Sequence, residues 1–330
     1  MDTAYRVRSL GVALFACLAL AVVLAGGQPA QAASIVYVVP GGASTQTGVS
    51  WGTAKALAAA LVGATPGDEL WVKAGTYKPT AGADRNATFA LKSGVAVYGG
   101  FAGTETTRGQ RNWQANVTLL SGDIGVPNNA GDNSYHVVTA SGANGSAILD
   151  GFTIRDGSAN GLSIACPLGC GGGVYTENSA VTLSNLSVVS NSAAFGGGGV
   201  ATVSGSPTLT NVILGSNTTT GNGGGMFTFN GSAPTLTNVT FRANAPTGRG
   251  TGTAGAPFNY SGSRATLTNV LFSGNSAVYG GGMTNYFGGS ATLTNATFSG
   301  NIIRGGKGGG LYNANSGSAQ IRNSILWGDS

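Results

Sequence analysis

A chain of 330 residues with only 8% charged side chains, 58 glycines and a net charge of +5 is too poor in charge for a solvated disordered tail, a coiled coil or an electrostatically driven nucleic-acid binder. Glycine does not recur at every third position, which excludes a collagen triple helix, and 42% hydrophobic residues are enough for a core. With Thr, Asn and Ser left to solvate the surface, composition points to an all-β protein rich in turns.

At the N-terminus, Arg6 and Arg8 precede an apolar run over residues 10–25, followed by Ala30-Gln31-Ala32. That order is the one of a secretory signal peptide, with cleavage expected after Ala32, and the run is shorter than the ~20 residues a membrane-spanning helix needs. Cys17 lies inside the run, not at its end, which argues against a lipoprotein. Residues 33–330 are expected to form one exported domain, extracellular or at the cell surface. Within it, residues 33–147 supply a cap and the first coils, and residues 148–330 regular repeats.

The cap begins with an expected strand over residues 35–39. An Ala-rich helix follows over residues 53–62, with Leu57 and Leu61 at helical spacing to cover the open end of the first coil. Pro66-Gly67-Asp68 then makes a turn into a strand, and further strands are expected over residues 94–98, 117–120 and 136–138. Cys166 and Cys170 remain as the only cysteines after the signal segment. In an exported chain they point to a small-loop disulfide ahead of free thiols or a metal site, because the only other soft ligand is the lone His136.

From residue 148 the chain repeats. Thr-Leu-Thr-Asn and its variants place Asn185, Asn211, Asn238, Asn269, Asn295 and Asn323 at steps of 26, 27, 31, 26 and 28 residues. Two positions earlier stand Leu183, Leu209, Leu236, Leu267, Leu293 and Ile321. Three positions later stand Val188, Leu214, Phe241, Phe272, Phe298 and Leu326, and six later Asn191, Asn217, Asn244, Asn275, Asn301 and Asp329. Glycine runs end at Gly173, Gly199, Gly225, Gly282 and Gly310, each followed by an aliphatic residue. About 26 residues with three short strands and three corners is one turn of a parallel β-helix, and seven to nine such coils are expected, stacked about 4.8 Å apart with the Leu and Phe columns inward.

One coil earlier, Gly151 and Gly157 replace both asparagines. Tolerance of positive φ is common to Asn and Gly, so both columns are expected to be left-handed corner residues, with amides bonding from coil to coil. The many Asn-x-Ser/Thr triplets follow this register, which favours the corner reading over glycosylation. A Gly/Thr-rich insertion over residues 248–255 interrupts one coil and reads as a tolerated surface excursion in preference to a loop on a binding face. The repeat stops with Asp329 in the second Asn column, so the last coil is expected to be unfinished: the chain is a fragment, or that coil is frayed or covered.

The opening Trp71-Val72-Lys73-Ala74-Gly75-Thr76-Tyr77 resembles the start of pectin-lyase-like right-handed β-helix proteins. Phe241…Asn244, Phe272…Asn275 and Phe298…Asn301 resemble the Phe-x-x-Asn repeats of polymorphic outer-membrane proteins of the chlamydial type, with Gly-Gly-Gly-aliphatic in place of their Gly-Gly-Ala-aliphatic motif. The resemblance implies an exported, often adhesive surface protein. The same fold also hosts polysaccharide lyases and hydrolases, so residues must decide.

Hydrolysis of a glycosidic bond needs two carboxylates on one face, and lyases of this fold hold Ca²⁺ on carboxylates beside an Arg or Lys base. Between residues 157 and 328 the only carboxylate is Glu177. A site would have to draw on Asp123, Asp132, Asp150, Asp156 and Glu177 with Arg155, Lys73 or His136. Asp150 and Asp156 read more simply as strand-end carboxylates accepting corner N–H bonds. The expectation is therefore an adhesive, structural or carbohydrate-contacting module with no catalytic residue, cofactor or metal, and with a surface polysaccharide or another surface protein as partner. Polysaccharide lyase or glycosidase is the alternative. Tyr175, Phe195, Phe227, Phe229, Tyr260, Tyr279, Tyr286, Phe287 and Tyr312 lie near the glycine corners, where they serve either as sugar platforms or as cover for the core and the glycine backbone.

Overall fold

A computed structural model describes residues 34–161, 166–247 and 254–330. The expected signal segment and most of the insertion lie outside the described residues. The chain winds into a parallel β-helix. Every strand pairing is parallel, and the broad 16-stranded sheet has a single path of ten strands running from Ile35–Val38 to Ser318–Arg322. A second sheet of eight strands, from Phe89–Ala90 to Leu311–Ala314, contributes one strand per coil, and two-residue strands such as Ser192–Ala193 and Thr218–Thr219 form a narrow third ladder.

Register makes the core. Leu149, Leu183, Leu209, Leu236, Leu267 and Leu293 pair in succession and are all buried. Ile154, Val188, Leu214, Phe241, Phe272 and Phe298 form a second inward column, with the Phe rings stacked at 5.3 and 4.3 Å. Each such side chain contributes roughly 1.5–3 kcal/mol of burial. The helix Leu57–Gly63 adds Leu57, Ala60 and Leu61 to the same core. It starts four residues later than its Ala-rich sequence suggests, because Lys55 is drawn into a bridge with Val38 and holds the preceding backbone extended.

The two Asn columns divide the work between them. In the first, Asn185, Asn211, Asn238, Asn269, Asn295 and Asn323 all have φ between 48° and 55°. The broad-sheet strand bends at them, running on through the asparagine in Thr182–Val189, Thr208–Gly215 and Thr235–Arg242 and dividing in later coils, as into Arg264–Thr268 and Leu271–Ser273. Their amides form an external ladder in which each Nδ2 donates to the Oδ1 one coil earlier, at 3.0–3.2 Å from Asn211 to Asn295. The second column corrects the corner expectation. Asn191, Asn217, Asn244, Asn275 and Asn301 lack positive φ and are fully buried. The left-handed residue is instead the one before, at Ser190, Ser216, Ala243, Gly274 and Gly300. The amide turns inward because the interior at this corner is crowded with backbone groups needing partners. Each Oδ1 accepts the backbone N–H and Nδ2 of the preceding asparagine, while each Nδ2 also donates to a carbonyl of the preceding coil, as Asn244 does to Leu214 at 2.8 Å. The ladder starts at the Gly157 N–H and ends on the Asp329 carboxylate.

The glycine runs form the third corner. Gly197 takes φ +64° there, and the glycine after it is packed against the carbonyls of the next coil.

Candidate functional site

The four aspartates considered for chemistry are separately engaged, and Glu177 ends the second-sheet strand Val174–Glu177. Asp150 Oδ1 is held by Arg111 Nη2 at 2.8 Å and by Asn185 Nδ2 at 2.9 Å. Asp156, at φ +65°, accepts Ser121 Oγ at 3.0 Å and Arg155 Nε at 2.8 Å. Partners here are side chains, not the corner N–H groups expected. Asp123 and Asp132 do accept backbone N–H groups, from Asn128 and Val126, each at 2.8 Å. Among the described residues no three His, Cys, Asp or Glu side chains are gathered as a metal site would need. Cys166 and Cys170 are joined in a disulfide.

His136 sits at the foot of the second sheet, stacked on Tyr175 at 5.0 Å and buried. Its Nδ1 lies 3.0 Å from the Gly171 carbonyl, which can only accept, so that nitrogen carries the proton. Burial pushes its pKa below the ordinary value, against a smaller upward pull from the Gly171 carbonyl. A depressed folded-state pKa favours the neutral ring, so its stabilisation is present above pH ~6.5 and is lost as pH falls below that value, where only the unfolded chain takes up the proton. Asp68 and Glu105 act lower. Burial raises their pKa values, but hydrogen bonds from Ser34 and Thr65, and from the Ala102–Glu105 backbone, more than reverse it, so these carboxylates lose their contribution only below the ordinary carboxylate range. The chain has one histidine, so a fall in melting temperature between pH 7 and 5 should vanish in His136→Phe. An unchanged slope in that variant would remove His136 as its source.

The aromatic residues near the corners divide by exposure. Tyr175, Phe227 and Phe258 are buried on the outer side of the second sheet, where a Cβ on Gly196 would lie 2.8 Å from the Phe227 ring. Glycine backbone thus covers this row. Phe229, Tyr260 and Tyr286 are half-buried and stack face to face at 5.7 and 6.2 Å, so their outward surfaces are ring edges. A sugar has no open ring face to lie on there. Phe287 alone is well exposed, at 52%, and stands edge-on to both tyrosines at φ +48°.

Another half-buried aromatic, Trp113, stands beside amides elsewhere. The segment 102–117 folds back over the broad sheet and is pinned at several points. Glu105 accepts the N–H groups of Ala102, Gly103 and Thr104 at 2.6–3.0 Å. Arg108 pairs with Glu69 at 2.6 Å and, like Arg111, lies over the Tyr98 ring. Asn112 Oδ1 caps the N–H groups of Gln114 and Ala115. Trp113 is thereby set down on Gly151, where a Cβ would be 2.8 Å from Arg111 Nη1 and 3.0 Å from Trp113 Cβ. This explains why Gly replaces Asn at that coil. The segment and the sheet enclose a groove of about 270 Å³. Trp113, Gln114 and Val117 form one wall. The bend amides Asn185 and Asn211, with Thr153, Ser187 and Ile213, form the floor, and no charged side chain lines it.

Fold and groove together define a parallel β-helix protein with a neutral, tryptophan-edged groove on its broad sheet. The chain belongs to the right-handed β-helix family: the family model described as "Right handed beta helix region" matches residues 136–326. No curated protein matches. Among solved structures, the pectate lyase Pel9A is similar at 13% identity and a TM-score of 0.48, over 89% of this chain and 78% of that one. A pectin methylesterase mutant in complex with a hexasaccharide is similar at 11% identity and a TM-score of 0.38, over 91% and 90%. Among the described residues no helix is long and apolar enough to cross a membrane.

Proposed function

We propose that this protein is an exported β-helix module that holds a neutral carbohydrate without cleaving it, as an adhesive or structural element of the cell surface. The pattern of residues 1–32 supports export. The observation that carries the binding reading is the Trp113 groove. An indole, three amides and several hydroxyls line it without a carboxylate or cation, which suits a sugar ring with its apolar C–H face and neutral hydroxyls. Asp150 stands behind this groove, and its pairing with Arg111 and Asn185 serves to fix the wall, not to transfer a proton.

A glycan array should therefore show binding to neutral glycans and none to pectate or alginate. Trp113→Ala should weaken that binding about thirtyfold, the equivalent of roughly 2 kcal/mol at a hot-spot aromatic. Cleavage of any polysaccharide, lost in Asp150→Ala, would replace this reading with the lyase or hydrolase alternative.

A further inference from the structure

The outer surface of the broad sheet carries a second ordered feature, on the strand segment before the asparagine bend. Thr182, Thr208, Thr235, Thr266 and Thr292 pair in register as one outward rank. Two residues along, Ser184, Thr210, Thr237, Thr268 and Thr294 form a second rank on the same face. The 31-residue step that contains the insertion leaves this register untouched, since Thr235 still pairs with Thr266 and Thr237 with Thr268.

Threonine suits any exposed strand, so the same sheet provides the control. Beyond the bend, the equivalent outward column reads Ser187, Ile213, Thr240, Leu271 and Thr297. Strand preference and exposure alone thus permit Ser, Ile, Leu or Thr. Over these five coils only the two ranks before the bend hold to Thr, with one Ser, and the ranks end where the register passes to Ile148 and Asp150 on one side and to Gln320 and Arg322 on the other. Thr182 Oγ1 bonds to the Gly145 carbonyl, whereas the other hydroxyls of the two ranks make no hydrogen bond within the described residues. They are held in line by the backbone and by the external asparagine ladder, and remain free to bond outward.

We propose that this two-rank threonine face binds ice. Its mesh is about 4.8 Å along the stack and roughly 6.6 Å across, the strand spacing and the two-residue rise. Both are close to the oxygen repeats on the prism face of hexagonal ice. Hydroxyls at mesh points can enter a water lattice, and the methyls beside them favour water held in a cage. Charge and shape exclude the other partners. Neither the ranks nor the bend column holds a charged residue over these five coils. The cations on this side of the sheet, Arg264 two residues before Thr266, Arg242 beyond the bend and Arg322 one coil past Thr294, stand singly around the ranks and form no continuous patch for a charged polymer or an anionic membrane. No aromatic ring stands on the face to stack a sugar, and the ranks are too polar for an apolar protein interface. A surface repeating in two dimensions fits a partner that repeats likewise.

The test is ice-affinity partitioning of the purified protein into slowly growing ice, with albumin as the excluded control and ice-recrystallisation inhibition as a second readout. The protein should be enriched in the ice and should arrest recrystallisation. Thr237→Tyr/Thr268→Tyr, which keeps strand-forming residues but breaks both ranks at mid-array, should behave like albumin while retaining the parent's circular dichroism and melting temperature. Thr297→Tyr, beyond the bend, should partition like the parent. If the tyrosine pair fails to fold, Thr237→Ser/Thr268→Ser reads the same face and should reduce enrichment by deleting two methyls. Exclusion of the parent protein from ice would overturn the proposal, as would undiminished enrichment of the folded double variant or equal loss in Thr297→Tyr. Binding to crystalline cellulose or chitin that the double variant loses, with no ice enrichment, would also overturn it and assign the face to a glycan lattice. Trp113→Ala should leave ice partitioning unchanged, so this test and that of the groove fail separately.

Discussion

Asn244→Ala is expected to destabilise the β-helix by about 4 kcal/mol or more, given roughly 1–3 kcal/mol for each buried polar group left unpaired. Asn244 Oδ1 accepts both the N–H and the Nδ2 of Asn217. Its own Nδ2 supplies the Leu214 carbonyl and Asn275 Oδ1. Truncation strands donors on one side and acceptors on the other, at a position with no exposure to water. Asn238→Ala, six residues earlier in the external ladder, should cost only about 1 kcal/mol, because its neighbours face solvent and the main penalty is an alanine at positive φ. Asn244→Asp keeps both acceptor bonds but sets an oxygen against the Leu214 carbonyl, so it should fall nearer to alanine than to the parent. Chemical denaturation of the three variants checks the order. Equal losses for Asn238→Ala and Asn244→Ala would show that the buried ladder is no stronger than the exposed one.

Gly198→Ala should cost about 3 kcal/mol or more, beyond the usual range for overpacking because the obstacle is backbone. A Cβ there would be driven into the Thr218 carbonyl oxygen and would lie 2.8 Å from that of Gly224. Both carbonyls are fixed by coil-to-coil bonds, the Gly224 oxygen accepting the Gly199 N–H at 3.1 Å. Gly231→Ala is the comparison. It has φ +71° and nothing within 4 Å of a Cβ, so it should lose only the roughly 1 kcal/mol that a left-handed alanine costs. Melting temperatures that move equally in the two variants would place the glycine requirement in dihedral freedom, not in coil spacing.

Much of the fold was legible because a β-helix writes its geometry into the sequence at a fixed period. Leucines 26 to 31 residues apart can be buried together only if the coils stack, and Leu236, Leu267 and Leu293 do stack inward. The second asparagine column was misread because Asn recurs for two physical reasons, tolerance of positive φ and a self-complementary amide, and spacing alone does not separate them. The true left-handed position holds Ser, Ala or Gly from coil to coil, so it left no signature of residue type. The groove was scarcely legible. Trp113 acquires its place through Gly151, 38 residues away, and through ion pairs to Glu69 and Asp150 that no periodicity announces. The substitution of Gly for Asn at residue 151 was the one trace of it. Read alone, that glycine is a corner residue. Only the tryptophan resting on it reveals why a side chain is forbidden there.

The buried asparagine ladder has a consequence for how such a protein can change over generations. Every rung gives and takes in the same way, so any two rungs can be neighbours. Deleting or duplicating one complete coil would bring together ends that already match, in the core, in the amide chain and on the outer face. The rod can therefore lengthen or shorten in whole steps, as beads are added to a string, whereas the gain or loss of a few residues is absorbed only at a corner. The 31-residue step between Asn238 and Asn269, whose extra residues leave the neighbouring registers intact, is such a corner.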